Sequence, residues 1–192
     1  MNKEKAYSIK VFASPERFRD WLLKNHTSKE GIWLRIYKKD SKVKTVTYPE
    51  AVEEALCFGW IDGLKKSYDE KSWIQKFTPR RSKSLWSKKN TENIERLLKE
   101  GKMHASGMLE VETAKADGRW EKAYDSGSNM EMPEDFLKEL KKNKKAFEFF
   151  KTLNKANTYA IGWRLQTAKK PETRGKRMKM LIEMLSENRK LH

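Results

Sequence analysis

"GWIDGLKKSYDEKSWIQKFTPRR", residues 59–81, decides the fold class. Two runs rich in strand formers, about 61–68 and 72–78, flank the polar tripeptide "DEK", which is the chemistry of a β-hairpin. Pro79, with no backbone N–H to offer a ladder, ends the second run.

Working outward, "YSIKVF" (7–12) alternates and reads as a strand, and "GIWLRIYKK" (31–39) sets Ile32, Leu34 and Ile36 against Trp33, Arg35 and Tyr37. That is the pattern of a strand with one buried face. Ser14 before Pro15 is a helix start, and Phe18, Trp21 and Leu22 share a stripe, so a helix is expected over about 15–25. Thr47 caps a short helix ending near Gly59. Ser87 is the expected cap of a helix through Leu98 that stops at Gly101, and Met108, Val111 and Ala114 place another over about 104–117. Beyond this the pattern is helical: Pro133 and Pro171 open helices, while Asn143 and Asn157 cap two others. The expected fold is therefore α+β, a small antiparallel sheet with packed helices followed by an all-helical C-terminal region. "YDSGSNMEMPED" (124–135) is polar and carries glycine and serine. It divides the chain into an α+β domain at 1–124, a linker at 125–135 and a helical subdomain at 136–192 expected to pack on the first.

Only 37% of the 192 residues are apolar and 36% are charged, but 7 Trp, 8 Phe and 6 Tyr argue for a compact core rather than disorder. A chain of this size buries roughly 70% of its unfolded surface without staples. The single cysteine, Cys57, lies in the apolar run "ALCFGW", which excludes an internal disulfide and reads as a core residue. The first residues show no apolar core or cleavage site and no long apolar run follows, so a cytoplasmic protein without a membrane span is expected. The net charge of +16 attracts phosphates and nucleic acid, although lysine is spread along the whole chain.

The hairpin runs on into "FTPRRSKSLWSKKN" (77–90), five cations and three serines at the entry to a helix. A helix N-terminus favours anions, arginine offers forked donors and serine hydroxyls add more. The candidate ligand-binding set is Trp60, Asp62, Lys65, Arg80, Arg81, Ser84, Trp86, Ser87 and Asn90, with "GWIDG" and the doubled arginine meeting across the hairpin. A structural reading stays open beside it: Ser87 caps the helix, Trp86 enters the core and Arg80 pairs with an acid such as Asp62. Asp62 has no second acid or histidine beside it in sequence, so no catalytic residue is assigned. His26, His104 and His192 lack local metal-ligand spacing, and no phosphate-cradling glycine loop occurs, so neither metal nor cofactor is expected. In "ETRGKRMKM", Arg174, Lys176, Arg177 and Lys179 stand beside the packing stripe Met178, Leu181, Ile182 and Leu185, which makes these charges a solvated helix face.

"ALCFGWIDG", "FTPRRSKSLWSKKN" and "RLLKEGKMHASGMLEVETAKADGRW", in this order over 55–120, resemble the YdeI/OmpD-associated family, also called the bacteriocin-protection family. "MPEDFLKEL", "FFKTL" and "ETRGKRMKMLIEML" resemble the same family's tail. The resemblance implies protection against bacteriocins or antimicrobial peptides, association with a porin and a periplasmic location. Against the last stands the absence of a leader, and against direct capture of cationic peptides stands the charge of +16. The expected function is a non-enzymatic, cytoplasmic binding or stress-protection protein with an anion pocket near 59–90. The alternative is a basic nucleic-acid-binding protein.

Overall fold

In β2 (Ile32–Tyr37) the alternation of the sequence becomes two faces: Ile32, Leu34 and Ile36 are buried, while Trp33, Arg35 and Tyr37 stay partly exposed. The chain is described from a computed structural model covering residues 7–125, 127 and 130–192. The first six residues of the N-terminal stretch, and residues 126, 128 and 129 of the expected linker, lie outside the described residues. Two compact units are formed, one from Met1–Trp86 with Asn90–Lys122, the other from Ser87–Lys89 with Ala123–His192.

The first unit is built on a four-stranded sheet. The hairpin is β3 (Trp60–Asp69) and β4 (Ser72–Pro79), and β4 also pairs antiparallel with β2. The short β1 (Ile9–Lys10) completes the order β1-β2-β4-β3. It runs parallel to β2, so the sheet is mixed where antiparallel pairing alone was expected. The cause is α1 (Pro15–Asn25), whose length carries the chain back past the sheet, so that β2 starts from the same end as β1.

Ser14 caps α1 by accepting the Arg17 N–H, and Pro15 stands in its first turn. Phe18 and Leu22 are buried, and the Phe18 ring lies edge-on to Phe77 of β4 at 5.7 Å. Trp21 meets Trp60 edge-on at 5.6 Å. α2 (Tyr48–Cys57) starts with a capping box in which the Thr47 side chain takes the Glu50 N–H and the Glu50 carboxylate accepts the Thr47 N–H at 2.8 Å. Its Ala51, Val52, Ala55, Leu56 and Cys57 are buried. α3 (Lys88–Lys99) buries Ile94 and Leu97, and α4 (Ala105–Ala116) buries Gly107, Val111 and Ala114. Gly59 joins α2 to β3 with φ +74°, a left-handed turn that glycine adopts without strain.

The second unit is helical: α5 (Glu134–Lys142), α6 (Lys144–Lys151), α7 (Lys155–Gln166) and α8 (Pro171–Ser186) close around Phe136, Leu140, Ile161, Leu165, Leu181 and Leu185. Asn143 caps α6, as its position suggests. α7 is capped by Asn154, not Asn157, since the helix begins one turn earlier. Asn157 is instead buried inside α7, where its side-chain amide oxygen Oδ1 accepts the N–H groups of Leu191 and His192, each at 3.1 Å. On α8 the apolar stripe packs inward as read. Two of its four cations have fixed duties: Arg174 makes a two-point ion pair with Asp135, and Arg177 donates to the Arg164 carbonyl at 2.6 Å.

Candidate functional site

The hairpin places its residues through a bulge. Asp62 pairs with Phe77, yet Lys65 pairs with Gln75, so β3 has one residue more than β4 over this stretch. An extra residue reverses the facing of everything beyond it. It therefore brings Lys65 to the same face as Asp62, and the Gly63 carbonyl accepts the Gln75 side-chain amide at 2.8 Å. Tyr48 at the start of α2 donates its hydroxyl to Asp62 Oδ2 at 2.8 Å. Tyr48, Asp62, Gly63, Lys65, Trp73 and Gln75 line an open recess of about 310 Å³. The Lys65 ammonium stands 4.7 Å from the centre of the Trp73 ring, a wall at once aromatic and cationic.

The rest of the sequence-derived set lies elsewhere. "GWIDG" and the doubled arginine are neighbours: Trp60 pairs with Pro79, and the Arg80 N–H reaches the Gly59 carbonyl at 2.9 Å. The space where they meet is filled by the chain's own side chains, with Trp60 0%, Trp86 1% and Arg80 7% exposed. The Trp60 indole N–H donates to the His26 carbonyl at 3.1 Å. The Arg80 guanidinium lies 3.5 Å over the Trp86 ring and donates to the Leu85 carbonyl at 3.3 Å, so its contacts are with the turn rather than Asp62. Arg119, also buried, donates to the Ser84 carbonyl at 2.9 Å and pairs with Asp117 at 2.7 Å. Arg81 and Ser84 close the turn itself, the Arg81 N–H donating to Ser84 Oγ at 3.0 Å. Ser87 pairs with Tyr124 in a single parallel bridge, and Asn90 is half-buried in the first turn of α3.

Tyr48, Trp73 and Gln75 escaped the sequence reading because nothing local marks them. Trp73 and Gln75 face Lys65 only through the bulge, and Tyr48 arrives from another helix. A larger recess of about 450 Å³ carries Glu16, Glu50, Glu53 and Glu54. Three of its four acids are engaged internally: Glu54 by Arg19 at 2.8 Å, Glu53 by Arg96 at 2.5 Å, and Glu50 by the capping box.

Cys57 is fully buried, and burial pushes its thiol up, away from the thiolate a nucleophile requires. His26 and His104, far apart in sequence, meet with ring centres 4.7 Å apart, and His104 stacks on Phe58 at 4.8 Å. His104 also caps α4, its Nδ1 accepting the Ser106 N–H at 3.3 Å. Burial first, then His26 and Arg19, hold its imidazole below the ordinary value of 6.5. The unfolded chain therefore takes up this proton first, so the stabilisation is complete above pH 6.5 and declines as pH falls below it. A thermal midpoint that drops between about pH 7.5 and 5.5, and drops less in His104→Asn, is the expected result. Asparagine keeps the cap and removes the titration. Equal pH slopes for the two proteins would remove His104 as the cause.

Among the described residues no group of three His, Cys, Asp or Glu is placed to hold a metal ion, and no helix is long and apolar enough to cross a membrane. No curated protein and no solved structure matches the chain. Residues 129–188 match the family model described as Bacteriocin-protection, YdeI or OmpD-Associated, a partial-length match that covers most of the helical unit. Residues 10–110 match the model described as Domain of unknown function (DUF8412), which takes in the "GWIDG" and "FTPRRSKSLWSKKN" segments. Since that second match spans more than half of the sequence, the chain belongs to the DUF8412 family, and its residues 129–188 are similar to the YdeI/OmpD-associated, bacteriocin-protection family.

Proposed function

We propose that the protein is a non-catalytic binding protein acting in protection against bacteriocins or related stress, and that its ligand site is the recess of Tyr48, Asp62, Lys65 and Trp73. The observation that carries this is the bulge, which spends a ladder position to put Lys65 beside Asp62 against an aromatic wall. A small anionic ligand sets its acidic group on the Lys65 ammonium and its apolar part on Trp73, while a ligand hydroxyl or amine donates to Asp62. Among the described residues Lys65 and Asp62 are the only charged groups in the lining, and neither a nucleophile–base pair nor a second carboxylate accompanies them there. The C-terminal family match supports the protective role. A cytoplasmic location is part of the proposal and is tested by cell fractionation.

Calorimetry with inorganic phosphate, a sugar phosphate and glutamate tests the site. Lys65→Ala is expected to weaken binding about tenfold, the scale of one charge-assisted hydrogen bond. Asp62→Asn is expected to weaken the hydroxyl- and amine-bearing probes more than phosphate, and Arg81→Ala, outside the recess, to change nothing. Affinities untouched by both recess substitutions would sink the proposal.

A second reading, nucleic-acid binding, is favoured by one observation. The partly exposed face of the sheet gathers aromatic rings and cations together.

A further inference from the structure

Strand register puts Trp33 opposite Lys76 and Arg35 opposite Ile74 in β2 and β4, and Lys66 opposite Ile74 in β3 and β4. Directly paired residues share a face, so these side chains lie together on the side of the sheet away from Ile32, Leu34 and Ile36. Ile9 of β1, opposite Trp33, joins them and is 45% exposed. The Lys66 ammonium stands 5.2 Å from the Trp33 ring centre, and that of Lys76 stands 4.0 Å from the Tyr7 ring. Arg35 is held between Tyr37 and Tyr68 at 4.4 and 4.6 Å.

Arg35 is tethered further, to Asp69 at 2.5 Å and to Ser72 at 2.9 Å. It is thus a fixed brace that keeps the Tyr68 ring, 47% exposed, spread on the surface. Lys76 differs from it, since its ammonium lies over the Tyr7 ring on a flexible stem. Asp69 is the one carboxylate that the four strands direct to this face among the described residues, and Arg35 already neutralises it.

We infer that this sheet face binds single-stranded nucleic acid, with bases stacking on Trp33 and its neighbouring rings and with Lys66 and Lys76 on the phosphates. The inference rests on the nucleic-acid reading above and adds to it the strandedness and the surface. Three features select the occupant. The net positive face complements a polyanion, at longer range reinforced by the overall charge of +16. Rings lying on a sheet reach the faces of bases only where those bases are unstacked and unpaired, which a duplex does not offer. Finally, the Lys76 ammonium over the Tyr7 ring needs only a rotation of its own stem to leave that ring to a base and meet the adjoining phosphate.

The test is fluorescence anisotropy with a labelled oligouridylate of about 12 nucleotides, a duplex of equal length, and polyglutamate as competitor. Measurements at roughly 50 and 200 mM salt give the salt slope. The expected result is preference for the single strand, roughly tenfold weaker binding by Trp33→Ala with recovery in Trp33→Phe, and a salt slope reduced by about 1 in each of Lys66→Ala and Lys76→Ala. Circular dichroism confirms that each variant is folded. Binding that ignores all of these substitutions, or is as tight to duplex, or is displaced equally well by polyglutamate, overturns the assignment of this face while leaving charge-driven nucleic-acid binding standing. No binding even at the lower salt overturns both.

Discussion

Trp86→Ala is expected to lose about 3–5 kcal/mol of stability, among the largest effects of any single substitution in the chain. The side chain is 1% exposed, packs against Trp120 at 5.1 Å and carries the Arg80 guanidinium at 3.5 Å. Truncation leaves a cavity and removes a desolvated cation–π contact from a buried arginine, a contact worth about 2 kcal/mol. For a protein of this length that corresponds to a thermal midpoint lower by about 10 °C or more. Trp86→Phe separates the contributions. The indole N–H is buried with no hydrogen-bond acceptor among the described residues, so phenylalanine gives up ring area but also removes an unsatisfied donor. Its loss is expected to be less than half that of alanine. The measurement is thermal and urea denaturation followed by circular dichroism. A midpoint for Trp86→Ala within roughly 2 °C of the parent would show that the ring is not packed, and would return Arg80 and Trp86 to the candidate binding surface.

Gly107→Ala should cost about 3 kcal/mol, although alanine in a helix interior normally gains up to about 1 kcal/mol over glycine. The reason is the close approach of α4 to the end of α2. A Cβ at Gly107 would stand 2.2 Å from the Cys57 carbonyl oxygen, 2.7 Å from its carbon and 2.9 Å from the Leu56 oxygen. These are backbone atoms at a helix end, and the same Cys57 carbonyl accepts the His104 N–H at 3.1 Å, so neither side gives way cheaply. Gly175, exposed within α8, has nothing within 4 Å of such a Cβ. Gly175→Ala is expected to stabilise by about 0.5–1 kcal/mol. Opposite signs for two identical substitutions are the result to look for. A stabilised Gly107→Ala would mean that α4 and α2 are further apart than described.

Much of the fold was legible where a local rule acts alone. Ser14 with Pro15, the alternation in β2, the "DEK" turn and the Asn143 cap each specify their element through neighbours a few residues away. At α7 two asparagines compete for one cap. Asn154 takes it because Asn157 is committed to the N–H groups of Leu191 and His192, a contact with the far end of the chain. The candidate site was half legible. Asp62 and Lys65 were named from sequence and do line the recess. Arg80 and Trp86 came from the same charged, aromatic-rich stretch, and composition does not distinguish an arginine facing solvent from one lying on a buried indole.

The sequence by itself determined the α+β class, most of the helix boundaries, the hairpin, and the absence of any internal disulfide from a chain with one cysteine, because spacing, caps and turn residues act over a few positions. Tertiary structure alone decided the parallel entry of β1, the meeting of His26 with His104, and the inward turn of Arg80. It also decided the one-residue bulge that sets Lys65 beside Asp62. A ladder register depends on which residues of two strands come to face each other, and that follows from packing between segments, which local pattern does not encode.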